Sequence, residues 1–382
     1  MTVTYQVQVL HVDRPNWLAE LRQAVAVELS DLGVHKSLSV NVTEDLLPGD
    51  APAVAVVLVG PTAKDSGVLA SGVRRAREDG LVILPVVDDL ATFHAQVPES
   101  LSQFNGFEWS GQEPERRLAR VVLEQLDIEE RDRRVFISHK RSDGLAAAEQ
   151  LHDELTHVRF SPFIDRFGVP PGGDVQGRIA DALERFAFLL LLETPEAHLS
   201  DWVFDEVDYA LAHAMGLLIL QWPGEPTPIP GSVGIPRLKL DPTDIQSNAH
   251  NYDVLTPDAV DRIIREVEAA HAHGIVRRRR MLLRSVQEAA EGRGATCTAL
   301  KDWTLEISGP RGRAIVAVSP RLPESEDLHR LDDTRDRIDP YADAVLVHAA
   351  RRLDEPRRRH LEWVKGERRL ELLPENAIGG EW

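Results

Sequence analysis

Hydrophobic and polar positions along this chain switch repeatedly between the period of a strand and the period of a helix. Tyr5-Gln6-Val7-Gln8-Val9-Leu10 alternates, whereas Leu18, Leu21, Val25 and Leu29 recur at helical spacing within 16–32. Leu38-Ser39-Val40-Asn41-Val42 alternates again. Ala53-Val54-Ala55-Val56-Val57-Leu58-Val59 and Leu81-Val82-Ile83-Leu84-Pro85-Val86-Val87 are continuous apolar runs of strand length, the pattern of parallel strands covered on both faces. Strands that alternate with helices predict an α/β layer architecture with crossover connections.

After the charged connector Ile128-Glu129-Glu130-Arg131-Asp132-Arg133-Arg134 the grammar repeats. Val135-Phe136-Ile137-Ser138 predicts a strand, and Gly144 to Leu155 a helix with Ala147, Leu151 and Leu155 on one face. Phe160 to Ile164 predicts a short strand and Val175 to Arg185 an amphipathic helix. Phe188 to Leu192 predicts a buried central strand, Trp202 to Ala214 a helix and Leu217 to Leu220 a further strand. Pro223-Gly224-Glu225-Pro226 breaks the chain after it.

A third segment starts near Met281. It contains a helix to Ala290, a hairpin from Trp303-Thr304-Leu305-Glu306-Ile307-Ser308 to Ala314-Ile315-Val316-Ala317-Val318, and a polar helix over 324–338. A strand at 344–347, a helix over 355–364 and a strand at 370–373 follow. These segments place an N-terminal α/β domain at 1–127, a central domain at 133–245, a helical linker at 246–280 and a C-terminal α/β domain at 281–382. The first two share a pattern: Val56 to Pro61 lines up with Leu190 to Pro195, and Gly80 to Leu84 with Gly216 to Leu220. They read either as one fold and a degenerate copy of it, at 1–127, or as two unrelated parallel-sheet domains with common strand grammar.

Composition narrows the function. The chain has 382 residues, 43% of them hydrophobic and 28% charged, which suits folded domains with real cores. Its formal net charge of −18 argues against nucleic acid and anionic membranes as partners. Without a long apolar run or a signal-peptide pattern, the expectation is a cytoplasmic protein. The single cysteine, Cys297, rules out an internal disulfide framework and a cysteine-built zinc site, and is expected to be a small buried apolar residue. The runs Arg277-Arg278-Arg279-Arg280 and Arg357-Arg358-Arg359 read as solvated helix faces or linker ends. His271 and His273 read as an exposed helix end with no third metal ligand in reach, so no metal is expected.

The chemistry lies in three central motifs. Phe136-Ile137-Ser138-His139-Lys140-Arg141-Ser142-Asp143 delivers a polar loop from a strand to the carboxyl edge of a sheet, where open α/β sheets bind ligands. Asp165-Arg166-Phe167-Gly168-Val169-Pro170-Pro171-Gly172-Gly173-Asp174 is a proline- and glycine-rich loop able to act as a lid. In Ser200-Asp201-Trp202-Val203-Phe204-Asp205-Glu206, Ser200 or Asp201 can cap a helix, and Trp202 and Glu206 share one helical face a turn apart.

In order and spacing these motifs resemble the Toll/interleukin-1 receptor (TIR) domain over 133–245, whose fold is a flavodoxin-like parallel α/β sheet. The resemblance implies a bacterial-type NAD⁺ glycohydrolase with Glu206 as the catalytic carboxylate. Trp202, Phe136, Ser138, His139, Arg141, Asp165 and Phe186 would surround the substrate, with NAD⁺ as substrate rather than cofactor. It further implies activation by self-association through TIR domains in an immune or toxin system, with an activating ligand or partner protein acting through the flanking domains. The sequence departs from the family where a serine usually precedes the central strand, here Phe186, and where a cysteine often follows the tryptophan, here Val203. The competing reading is a non-catalytic scaffold that acts through TIR–TIR contacts. A nucleoside hydrolase of related fold is a third. The C-terminal segment weakly resembles the restriction-endonuclease-like core, yet its third strand, Val316-Ala317-Val318-Ser319, lacks the Glu-x-Lys pair that holds a metal. An accessory ligand- or partner-binding domain fits it better.

Overall fold

A computed structural model of the chain describes residues 3–32, 38–46, 53–126, 128, 133–158, 160–164, 183, 185–300, 303–349, 353 and 355–380. The chain divides into two compact units, one of residues 1–131 with 297–306, the other of 132–296 with 307–382.

Unit 1 is built on five parallel strands: β1 (Val3–His11), β2 (Leu38–Thr43), β3 (Ala53–Leu58), β4 (Val82–Val87) and β5 (Phe107–Glu108). Their spatial order is β2-β1-β3-β4-β5, with right-handed crossovers expected wherever a helix joins parallel neighbours. The all-apolar β3 is buried along its whole length because helices cover both faces of the sheet. Helices α1 (Pro15–Asp31) and α4 (Pro114–Gln125) are tied by a buried carboxylate, Glu28, that accepts from Arg116 at 2.6 Å and Arg120 at 3.0 Å. Helix α2 (Gly67–Glu78) buries Leu69, Val73 and Ala76, while α3 (Phe93–Gln96) is a single turn. Residues 297–306 belong to this unit, where Trp303 meets Tyr5 edge-on and donates its indole N–H to the Leu126 carbonyl at 2.8 Å.

Unit 2 repeats that sheet. Strands β6 (Arg134–Ser138), β7 (Ser161–Phe163), β8 (Phe188–Glu193), β9 (Gly216–Gln221) and β10 (Arg237–Lys239) are parallel, in the order β10-β9-β8-β6-β7. Numbered within each unit and read from one edge, both sheets run 2-1-3-4-5, the flavodoxin-like order. The expected α/β fold class therefore holds. Alternation along β6 and β8 sorts the core. Val135, Ile137, Phe188 and Leu190 face α5 (Arg141–His157), whereas Phe136, Leu189 and Leu191 pack with Val203, Val207 and Ala210 of α6 (Asp201–Ala212).

After the small ribbon β11 (Ile245–Ser247) and β12 (Asp253–Leu255) comes one helix, α7 (Pro257–Gly292), of 36 residues. It runs through position 280, where the sequence pattern suggests the end of a linker. Its first half supplies Ala259, Val260, Ile263 and Val267 to the core beneath β8. It then crosses β9 where Gly274 and Gly216 meet backbone to backbone. A Cβ on Gly274 would lie 2.8 Å from the Gly216 Cα, so neither site tolerates a side chain.

Two expectations for this helix are corrected. His271 is 1% exposed and packed between Phe160 and Phe188, not at an exposed helix end. Arg278 and Arg279 are 4% and 6% exposed rather than solvated, and Arg278 pairs with Glu375 at 2.5 Å. A remote carboxylate makes that burial affordable. Cys297 is likewise half-buried, on a strand, rather than fully enclosed.

The third sheet follows the chain in order: β13 (Thr296–Ala299), β14 (Leu305–Gly309), β15 (Gly312–Ser319), β16 (Asp343–His348) and β17 (Leu370–Pro374). Strands β15, β16 and β17 are parallel and joined by α8 (Ser325–Ile338) and α9 (Glu355–Lys365). Glu324 and Asp327 form a capping box at the start of α8, and Glu324 also accepts from Arg134 of β6 at 2.8 Å.

Candidate active site

Strand alternation places Phe136 and Ser138 on the α6 side of the sheet, with Ser138 at the carboxyl end of β6, beside Leu191 in register. Ser138 is 1% exposed, and its hydroxyl has no hydrogen-bond partner among the described residues. Its neighbourhood is aromatic: Phe136 contacts Phe163 at 5.4 Å and Phe186 at 5.8 Å between ring centroids, and Phe186 is itself buried.

Helix α6 supplies the carboxylate. Ser200 is its N-cap and accepts the Val203 N–H at 3.4 Å, which sets the rotation of the helix. The buried stripe is then Val203, Glu206, Val207 and Ala210, so Glu206, at 6% exposure, is the one charged residue on the face turned to the sheet. Trp202 stands one turn earlier at the margin of that stripe and is 44% exposed, with Phe204 at 42%. Asp205 and Asp208 lie outside the stripe.

The loop after β6 is stitched to the loop after β8. Asp143, in the first turn of α5, accepts from the Thr194 hydroxyl and the Glu196 N–H, both at 2.8 Å. Glu196 accepts from Ser142 at 2.6 Å and faces Lys140 at 3.4 Å. The Ser142 hydroxyl first, and Lys140 second, hold its carboxyl below the usual range. His139 sits on this same loop, half-buried, and the exposed Arg141 opens α5; a Cβ on Gly144 would press on His139 at 3.2 Å. Asp165 and the loop to Asp174 lie outside the described residues. Among the described residues, no group of three or more His, Cys, Asp or Glu could hold a metal.

Residues 135–264 match the family model of the TIR domain. The chain carries a TIR domain. No curated protein matches the chain. Within the TIR domain, Ser138 ends β6, His139 lies in the loop after it and Arg141 opens α5, while the 194–200 turn launches α6, which carries Trp202 and Glu206. Phe136 and Phe186 lie in the packing beneath.

Sequence reasoning missed Glu193. It ends the apolar run of β8, is fully buried, and accepts from Arg237 (Nε and Nη2, both 3.2 Å), Gln221 at 3.4 Å and the Ile229 N–H at 3.3 Å. Arg237 in turn donates to the Ser232 carbonyl at 2.9 Å, which secures the 222–236 loop across the edge of the TIR sheet. Nothing local in the sequence signals this pair, because its partners are 44 residues apart. Arg237→Ala would leave a buried carboxylate without its cation. The expected loss is about 3–5 kcal/mol of stability, read by denaturant unfolding of the full chain. A loss under about 1 kcal/mol would place the charge in water instead.

Proposed function

We propose that the TIR domain hydrolyses NAD⁺ at the bond between nicotinamide and ribose, with Glu206 as the carboxylate that serves the reacting sugar. The supporting observation is the placement of Glu206 on the sheet-facing stripe of α6, at 6% exposure. Burying a carboxylate is costly, and a helix does so where the group is paired, as Glu28 is in α1, or where it acts on a ligand.

The chemistry follows from the substrate. As the C–N bond breaks, its electron pair leaves with nicotinamide, which becomes neutral, and positive charge develops on the ribose. Water adds to the anomeric carbon and loses a proton, giving ADP-ribose, nicotinamide and H⁺. The leaving group needs no acid, because it departs from a cationic state. A carboxylate beside the ribose stabilises the developing charge and accepts hydrogen bonds from the sugar hydroxyls. Ser138, with its unengaged hydroxyl, and Trp202, with an exposed ring, are the groups assigned to the sugar and to a flat ring of the substrate. If a ribose hydroxyl of the same molecule replaces water, the product is cyclised.

Self-association through the TIR domain is the assigned trigger, with the C-terminal sheet in an accessory role. A purely scaffolding reading draws on Leu199, Trp202 and Phe204, which are 63%, 44% and 42% exposed around the start of α6. Nicotinamide release from NAD⁺ by the purified full chain at high concentration, with a crowding agent, tests the proposal. Release supports the glycohydrolase. Silence across the concentration range, with oligomers present, favours the scaffold.

A further inference from the structure

The two sheets share more than their strand order. Between β3 and β4 in unit 1, and between β8 and β9 in unit 2, every landmark recurs at an offset of 134 residues. Val54 pairs with Val82, and Phe188 with Gly216. A three-residue turn follows in each, Ala63–Asp65 and Ala197–Leu199. Ser66 then caps α2 by accepting the Leu69 N–H, as Ser200 caps α6 by accepting the Val203 N–H. Both helices have 12 residues, and their buried positions Leu69, Val73 and Ala76 answer to Val203, Val207 and Ala210.

Each helix closes alike, with Leu81 N–H on the Ala76 carbonyl and Met215 N–H on the Ala210 carbonyl, both at 2.9 Å. Gly80 and Ala214 take the same left-handed turn, at φ 71° and 50°. Gly80 thus corresponds to Ala214, two residues before the Gly216 that sequence pattern alone pairs with it.

This register identifies the residues that stand in place of the TIR site. Position 206 becomes Gly72. On the strand beside it, Leu10 pairs with Val57 as Ser138 pairs with Leu191, so position 138 becomes Leu10. The two replacements touch: a Cβ on Gly72 would lie 3.0 and 3.1 Å from the Leu10 methyls. In unit 1 the strand side chain fills the space and the helix contributes none. In the TIR domain the strand keeps a small hydroxyl and the helix contributes the carboxylate. The rest of the unit 1 edge is also occupied by its own groups. Arg14 lies over Trp17, pairs with Asp88 and reaches the Val59 carbonyl.

We infer that unit 1 is a second, silent copy of the TIR fold, and that the exchange of Ser138 and Glu206 for Leu10 and Gly72 is the step that silences it. That it is silent in catalysis rests on the glycohydrolase reading. The packing exchange itself does not.

The exchange is tested by swapping it into the TIR domain of the full chain. Ser138→Leu places a leucine against Glu206 and should lower the melting temperature by roughly 3–10 °C. Glu206→Gly added to Ser138→Leu recreates the unit 1 pair. It should recover half or more of that loss, although a glycine alone within a helix is destabilising. The reciprocal pair checks the result if Ser138→Leu does not fold: Gly72→Glu should be destabilising, and Leu10→Ser should relieve it. Additive losses in both cycles would overturn the inference, because positions 138 and 206 would then not face each other as 10 and 72 do. Melting and nicotinamide release separate the two claims. Coupling without any release leaves the repeat standing and removes the glycohydrolase. Release without coupling does the reverse.

Discussion

Glu206→Gln should release nicotinamide at least about a hundredfold more slowly than the wild type, and roughly a thousandfold is within reach. The amide matches the carboxylate in size and still accepts a hydrogen bond, so packing among Val203, Val207 and Ala210 is kept. What it lacks is the negative charge that offsets a cationic ribose. A hundredfold corresponds to about 2.7 kcal/mol of transition-state stabilisation, typical for one oriented charged group in a buried setting. The loss should fall on kcat, because ground-state NAD⁺ carries its charge on the nicotinamide ring rather than on the sugar. Binding of NAD⁺ to the variant, followed by calorimetry, should change less than tenfold. Equal turnover by variant and wild type would remove Glu206 from the chemistry.

Acid should unfold unit 2 through His271. Burial first, then the neighbouring charges of Arg133 and Arg279, push its imidazole down from 6.5 to about 3. The folded state therefore holds His271 neutral at pH values where the unfolded chain protonates it. Stability is intact above pH 6.5 and falls as pH drops from there toward 3, since the unfolded state binds the extra proton. The slope is about 1.4 kcal/mol per pH unit once the unfolded histidine is charged, roughly 5 kcal/mol over the whole interval. His271→Phe keeps the edge-on contacts with Phe160 and Phe188 and removes the proton site. Melting curves from pH 7 to pH 4 should then fall less steeply for the variant than for the wild type. Parallel curves would show that His271 is already charged in the folded protein.

The same residues explain how far sequence pattern reaches. Apolar runs such as Phe188 to Leu192 and the alternation at Tyr5 to Leu10 announce their strands, because burial on two faces or one is written locally. The phase of α6 is legible for a related reason: a cap at Ser200 fixes it, and it turns Val203 and Glu206 inward while Trp202 stays 44% exposed. What stayed hidden depends on distant partners. A run of four arginines at 277–280 reads as solvated until Glu375, 97 residues from Arg278, is placed beside it. His271 reads as polar until Phe160, just before β7, and Phe188, at the start of β8, enclose it. The pairing of Gly80 with Gly216 failed for another reason. Glycine is a poor landmark there, because what the two turns share is a left-handed φ, which Ala214 also adopts.

Helix α7 sets how this protein can be divided. At 1.5 Å per residue its 36 residues span about 54 Å without a break. Its N-terminal half is core for the TIR sheet, and Arg278 binds the last turn of the chain through Glu375. A cut at 264, where the family match ends, would strip Val267 and His271 from beneath the TIR strands and leave an apolar scar there. The helix is a shared beam: one unbroken element packs beneath β8, meets β9 backbone to backbone at Gly274 and pairs with Glu375 through Arg278.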